Sequence, residues 1–177
     1  LLILPKASVY IGLAITPVVI TYPLMKRITN YPQIVLGVAF NVGVLVAYTA
    51  ATQTISLAAI ILYIGCIFWT LGYDTIYALQ DAKDDAIAGI KSTALAFGKH
   101  NRKFVGLFYW AFILCVTGAI LLTKTPALIG VIFLFLAKAQ FSWQVYKLNQ
   151  NNTSLCGDLF KSNLYVGLFI FLGLLLT

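Results

Sequence analysis

Long apolar blocks alternate with short polar interruptions along this chain, at the spacing a helix needs to cross a bilayer. The blocks cover residues 7–24, 34–51, 56–73, 104–122, 126–145 and 160–177. Each approaches the roughly 20 residues that span the hydrocarbon core of a membrane. Within them the apolar residues are continuous and not alternating. That favours helices over the strands of a closed barrel, the only other spanning structure lipid tolerates. The pattern predicts an all-α, polytopic bundle of six transmembrane helices. An apolar stub, LLIL, precedes it and reads as the tail of a further helix. No soluble domain interrupts the blocks and no internal repeat is visible.

The interruptions set the expected boundaries. Pro5 and Lys6 open the first helix, the run Tyr22-Pro23-Leu24-Met25-Lys26-Arg27 closes it, and Pro32 starts the second. The third block is expected to continue as helix into the polar stretch that follows, with Gly89 as its stop, since glycine is a poor interior residue and a common cap. Residues 90–103 then complete the longest polar connection, and Asp158 is expected to cap the last helix.

Composition sharpens this picture. The chain is 61% apolar and 10% charged, against about a quarter charged in soluble domains. The net charge of +7 is not a nucleic-acid footprint, because the basic residues lie in the connections between spans. Nine of the twelve (Lys26, Arg27, Lys83, Lys91, Lys99, Arg102, Lys103, Lys147 and Lys161) fall on one side of six alternating spans, with Lys6 and Lys124 opposite. The positive-inside rule puts the larger group in the cytoplasm of a bacterium, or in the matrix if the protein is mitochondrial. Lys138 lies inside the fifth block, where snorkelling to the interface or a contact with an acid would explain it. Cys66, Cys115 and Cys156 have no metal-ligand spacing and read as small buried hydrophobes.

Four of the five acidic residues, Asp74, Asp81, Asp84 and Asp85, fall within residues 71–94. At about 100° per residue, an unbroken helix would put Asp74, Asp81 and Asp85 on one face and turn Asp84 about 80° away. Stacked like charges repel, and oxygen-only ligands call for a hard cation such as Mg2+. Lys83 and Lys91 flank the acids, and Lys26 and Arg27 come from the neighbouring connection on the same side. Carboxylates at a helix mouth, a divalent ion and an Arg fork together suit a diphosphate. An apolar, aromatic-lined interior behind them suits a long hydrocarbon tail and an allylic cation. A solvated loop, with Tyr22, Tyr73 and Tyr77 as interfacial belt residues, is the plain alternative. Asn41, a polar amide inside the second block, must find partners in the bundle, either in a pocket or between helices. A transporter half is disfavoured because the acids sit at one end and not at the midplane.

The run Tyr73-Asp74-Thr75-Ile76-Tyr77-Ala78-Leu79-Gln80-Asp81-Ala82-Lys83-Asp84-Asp85, followed by Gly89-Ile90-Lys91-Ser92-Thr93-Ala94, resembles the second aspartate-rich motif of the UbiA intramembrane prenyltransferases. The form YDTIYA…GIKSTA is similar to the 4-hydroxybenzoate polyprenyltransferase branch. So are Tyr22-Pro23-Leu24-Met25-Lys26-Arg27 with Pro32-Gln33-Ile34-Val35-Leu36-Gly37, and Asn163-Leu164-Tyr165-Val166-Gly167 near the end. The resemblance implies Mg2+-dependent transfer of a polyprenyl group from polyprenyl diphosphate to the ring carbon ortho to the hydroxyl of 4-hydroxybenzoate, in ubiquinone synthesis. It implies Asp81, Asp85 and Asp84 as metal ligands and Asp81, Asp85, Arg27 and Lys91 as catalytic residues. Lys26, Arg27, Asn41, Asp74, Tyr77 and Lys91 would line the substrate sites.

One departure stands out. The family carries two aspartate-rich motifs in a bundle of nine helices, and no acidic residue precedes Lys26 here. Residues 1–177 therefore resemble a partial domain, the last six helices of nine. On this reading the 177 residues alone are expected to be inactive, the activity belonging to a parent protein.

Overall fold

A computed structural model describes residues 4–123 and 128–176. Six helical segments in it are long and apolar enough to cross a membrane, and they follow the predicted order. Leu1 to Ile3, Lys124, Pro126 and Thr177, on which parts of the predicted stub, topology and span ends rest, lie outside the described residues.

The first segment is α1, Lys6–Ile28, which runs straight through Pro17 and Pro23. The sequence predicted an end near residue 24. A transmembrane helix tolerates proline because neighbouring groups satisfy the freed backbone. The second segment, predicted as one helix, is two: α2, Pro32–Phe40, and α3, Gly43–Thr52. The break falls at Asn41, whose Nδ2 donates to Gly37 O at 2.8 Å and competes with the backbone for that carbonyl.

The third segment is α4, Leu57–Ala78, started by Ser56, whose side chain accepts from Ala59 N. The predicted continuous helix to Gly89 does not form. The chain turns at Leu79 and Gln80, and α5, Ala82–Ala88, begins anew after Asp81. Gly89 does stop it, at φ 67°, in the left-handed region glycine favours.

Residues 90–103 are not a solvated loop. They hold α6, Thr93–Phe97, capped by Ser92, and a 3-10 turn, Gly98–His100, before α7, Asn101–Thr123. Ser92, Thr93, Ala94 and Asn101 are buried. The fifth segment is α8, Leu128–Lys147. The sixth divides into α9, Thr153–Lys161, and α10, Asn163–Leu175. The cap before α9 is Asn152, accepting from Leu155 N at 3.0 Å, and not Asp158, which sits exposed inside the helix.

α4 is the central element, packing on α2, α3, α7 and α9. Its closest partner is α7. Glycines let the two backbones approach, as small residues do at membrane helix interfaces. A Cβ at Gly72 would run into the Tyr109 ring, and one at Gly65 would lie 2.7 Å from Cys115 Cβ. Around this seam Ile76, Val105, Phe112, Leu159 and Val166 are fully buried. The α8 helix joins through Phe141, stacked on Tyr109 at 4.0 Å between centroids, and through Gln144, whose Nε2 donates to Ser162 Oγ. The three cysteines are free; Cys156 is buried as expected, whereas Cys66 and Cys115 are only partly buried.

Candidate functional site

The α4–α5 turn gathers the acids differently from an unbroken helix. Asp74 stays on α4, one turn before its end, while Asp81 immediately precedes α5 and Asp84 and Asp85 occupy its first turn. The predicted shared face of Asp74, Asp81 and Asp85 is therefore replaced by three acids at the start of α5, with Asp74 on a separate helix. Two features favour the acids at this helix start. The unpaired backbone N–H groups there carry partial positive charge, and Asp81 makes no capping hydrogen bond that would occupy its carboxylate. Asp81 and Asp84 are exposed. Partial burial pushes the Asp85 carboxyl above the usual carboxylate range. Lys26 opposes that rise, and Asp81 and Asp84 add to it.

Among the described residues no three His, Cys, Asp or Glu side chains converge on a ready-made metal cage. Mg2+ typically takes one or two carboxylates and completes its shell with water and substrate phosphate. The oxygen-only donors of Asp81, Asp84 and Asp85 fit such an ion by their chemistry.

The basic residues arrive from the end of α1. The backbone of residue 91 fastens that end, with Lys91 N donating to Lys26 O at 2.8 Å and Lys91 Nζ donating to Ile28 O at 3.1 Å. An ammonium at a helix C-terminus is well placed electrostatically, and two of its three protons remain for another acceptor. Lys26 is near enough to Asp74 and Asp85 to act on both carboxyls electrostatically. Arg27, next to it, is exposed. Lys26, Arg27, Lys91 and the three acids of the α5 start thus share one end of the bundle.

Three polar residues hold this arrangement and were not singled out by the sequence. Gln33 on α2 is buried; its Oε1 accepts from Thr93 N at 3.0 Å, and its side chain lies beside Asp74. Thr75 and Thr93 join hydroxyls at 2.7 Å, tying α4 to α6. A glutamine directly after a helix-starting proline, in an otherwise apolar run, was the available signal for Gln33.

Beneath the acids lies a cleft of about 450 Å³ between α2, α4, α9 and α10. Leu36, Phe40, Tyr73, Phe160 and Leu164 make it apolar, and Asp74 and Lys161 stand in its lining. Phe160 packs against Tyr73 and Tyr77 with centroids 5.9 and 4.9 Å away. Asn163, also in the lining, accepts from Trp69 Nε1 at 2.9 Å. Asn41 stands one step back. Its Nδ2 donates to Thr70 Oγ1 at 2.7 Å, and Thr70 Oγ1 donates to the Tyr73 hydroxyl at 3.2 Å. Lys138 is exposed on α8 and lines a groove shared with α7.

Residues 1–173 match the UbiA prenyltransferase family. A mitochondrial 4-hydroxybenzoate polyprenyltransferase of Aedes aegypti is 42% identical over 96% of this chain and 38% of its own length. A 4-hydroxybenzoate octaprenyltransferase of Serratia proteamaculans is 37% identical over 99% of the chain and 60% of its own length. A 4-hydroxybenzoate geranyltransferase of Lithospermum erythrorhizon is 44% identical over 90% of the chain and 52% of its own length. The chain therefore spans 38–60% of these relatives. No solved structure gives a significant match.

Proposed function

Because the chain belongs to the UbiA prenyltransferase family, we propose that the protein of which it forms part transfers a polyprenyl group from polyprenyl diphosphate to 4-hydroxybenzoate. The bond would form at the ring carbon ortho to the hydroxyl, in ubiquinone biosynthesis. The observation that carries this reading is one end of the bundle where carboxylates and cations meet above an aromatic cleft. The names of the relatives run from geranyl to octaprenyl, so the proposal specifies the acceptor and leaves the prenyl length open.

The chemistry follows from what each residue offers. Asp81 and Asp85, with Asp84 beside them, would hold Mg2+, which neutralises diphosphate charge when bound. Arg27 would grip diphosphate oxygens through its planar fork, and Lys26 and Lys91 would add point charges. These contacts strengthen as the C–O bond breaks and its electron pair passes to the departing diphosphate, so they favour the transition state. Tyr73, Tyr77 and Phe160 offer ring faces to the allylic cation left behind. The apolar lining keeps out the water that would quench it. The acceptor ring then bonds to that carbon and loses its ortho proton. Asp74 would face the substrate from the cleft. Asn41 would act through Thr70 to fix Tyr73. In this reading the protein lies in a bacterial inner membrane with the aspartate loop on the cytoplasmic side.

Product analysis tests the proposal. The full-length protein is incubated with radiolabelled 4-hydroxybenzoate and a series of polyprenyl diphosphates, with and without Mg2+. Prenylated 4-hydroxybenzoate formed only with the metal is the expected result. Turnover undiminished in excess chelator, or prenylation of a different acceptor only, would overturn it.

A further inference from the structure

A second region of concentrated positive charge lies apart from the aspartates, where α7 and α8 leave a groove between them. One face of α7 (Arg102, Gly106, Trp110, Ile113) and one face of α8 (Lys138, Ser142, Tyr146) line a cavity of about 430 Å³. Its walls are largely apolar below the rim. Gly106 contributes no side chain to the floor, and a Cβ there would lie 3.5 Å from Val145 Cγ1. At the rim the groove runs into a second, polar cavity of about 430 Å³ lined by Lys99, Arg102, Lys147 and the 148–151 connection. Arg102 and Tyr146 belong to both, with the guanidinium 5.9 Å from the Tyr146 ring centroid. The ring holds the cation at the junction of the two cavities without neutralising it.

The charge balance is one-sided. Lys99, Arg102, Lys138 and Lys147 line the two cavities, and none of the five aspartates does. In a bundle that spans a bilayer, the apolar trench faces acyl chains and its basic mouth lies at headgroup level. Lys138 is nine residues before Lys147, or about 13 Å along the helix axis. Its long stem can carry the ammonium back toward that mouth. Basic pockets between transmembrane helices are the usual form of anionic headgroup sites.

We propose that the α7–α8 groove is a binding site for an anionic glycerophospholipid. Its phosphate sits among Lys99, Arg102 and Lys147, and one acyl chain lies along Gly106, Trp110 and Ile113. The site is independent of the prenyl-transfer reading, since its lining shares no residue with the aspartate cluster or the cleft beneath it.

Native mass spectrometry of the purified full-length protein tests this, after exchange into nanodiscs of either phosphatidylglycerol or phosphatidylcholine and release into detergent. Phosphatidylglycerol is expected to remain as a one-to-one adduct and phosphatidylcholine to be stripped. The double substitution R102Q/K147Q should weaken the adduct by about tenfold or more. Gly106→Leu should weaken it by filling the floor, and it serves as the second variant if R102Q/K147Q misfolds. D81N should leave the adduct unchanged while affecting any prenyl transfer, which separates the two sites. Equal retention of both lipids, or an adduct indifferent to R102Q/K147Q and to Gly106→Leu, would overturn the proposal. So would displacement of the lipid by millimolar inorganic phosphate alone, which would mark a free-anion site instead.

Discussion

The first three helices and the last seven are held by different forces. The α1 helix buries a single residue, Ser8, and α2 and α3 together bury only Pro32, Gln33, Gly37 and Thr49. Polar contacts attach them: Ser8 to Thr49 at 2.8 Å, Asn41 to Thr70, Tyr63 to Val38 O, Gln33 to Thr93 and Lys91 to Ile28. From α4 onward large apolar side chains are buried beside the polar ones, among them Ile76, Tyr109, Phe112 and Leu159. In lipid there is no hydrophobic gain from bringing apolar helices together, so both packing and hydrogen bonds must serve. The first three helices rely mainly on hydrogen bonds, and the rest of the chain adds an apolar core to its own. The cations Lys26 and Arg27 sit on the hydrogen-bonded part and the aspartates on the packed part, so the candidate site lies on the seam between them.

The largest effect is expected where the seam does its chemistry. Asp81→Asn in the full-length enzyme should lower turnover by more than about 100-fold with an unchanged melting temperature, read by radiolabelled product and by thermal unfolding in detergent. Next comes the packed part. Gly72→Val drives a side chain into Tyr109 and should cost about 3 kcal/mol, whereas Leu13→Ala on the exposed face of α1 should stay within about 0.5 kcal/mol. Equal costs in denaturant titrations would erase the contrast. Third, Gln33→Ala leaves a buried N–H at Thr93 without its acceptor and should cost about 1–2 kcal/mol. Hydrogen exchange should then rise in residues 90–97 and at the end of α1, with α4 and α7 unchanged.

The smallest expected effect is a pH dependence. The Asp85 carboxyl is raised in the folded protein, so its protonated form contributes stability below the unfolded value, and that contribution is lost as pH rises through the folded one. Mg2+ competes with the same proton. Metal affinity measured by calorimetry should therefore begin to fall, on acidification, from a pH above the ordinary aspartate range. Asp84→Asn should move that onset downward, and Lys26→Met should move it upward.

The number and order of spanning segments were legible because apolar length alone determines them. The boundaries that failed were internal breaks, which apolar length does not mark. A predicted helix divides at Asn41, whose backbone N–H and Nδ2 both donate to the Gly37 carbonyl, and the turn at Leu79 and Gln80 separates α4 from α5. The aspartates and Lys26, Arg27 and Lys91 could be named from composition and spacing. Their grouping could not, because it depends on a hydrogen bond from residue 91 back to residue 26. Residues 90–103 read from the sequence only as the remainder of a polar connection. They are buried in part because Gln33 and Thr75, far off in sequence, supply the partners of Thr93.

That knot at Thr93 has a consequence for how the chain is made. Among the described residues its amide and hydroxyl find their partners on α2 and α4, and burying them without partners is costly. Residues 92–97 therefore cannot settle until both earlier helices have left the translocon and met in the bilayer. The ribosome delivers those two first. Biogenesis then closes this end of the protein in the order of synthesis, with the aspartate segment drawn in by the stretch translated just after it.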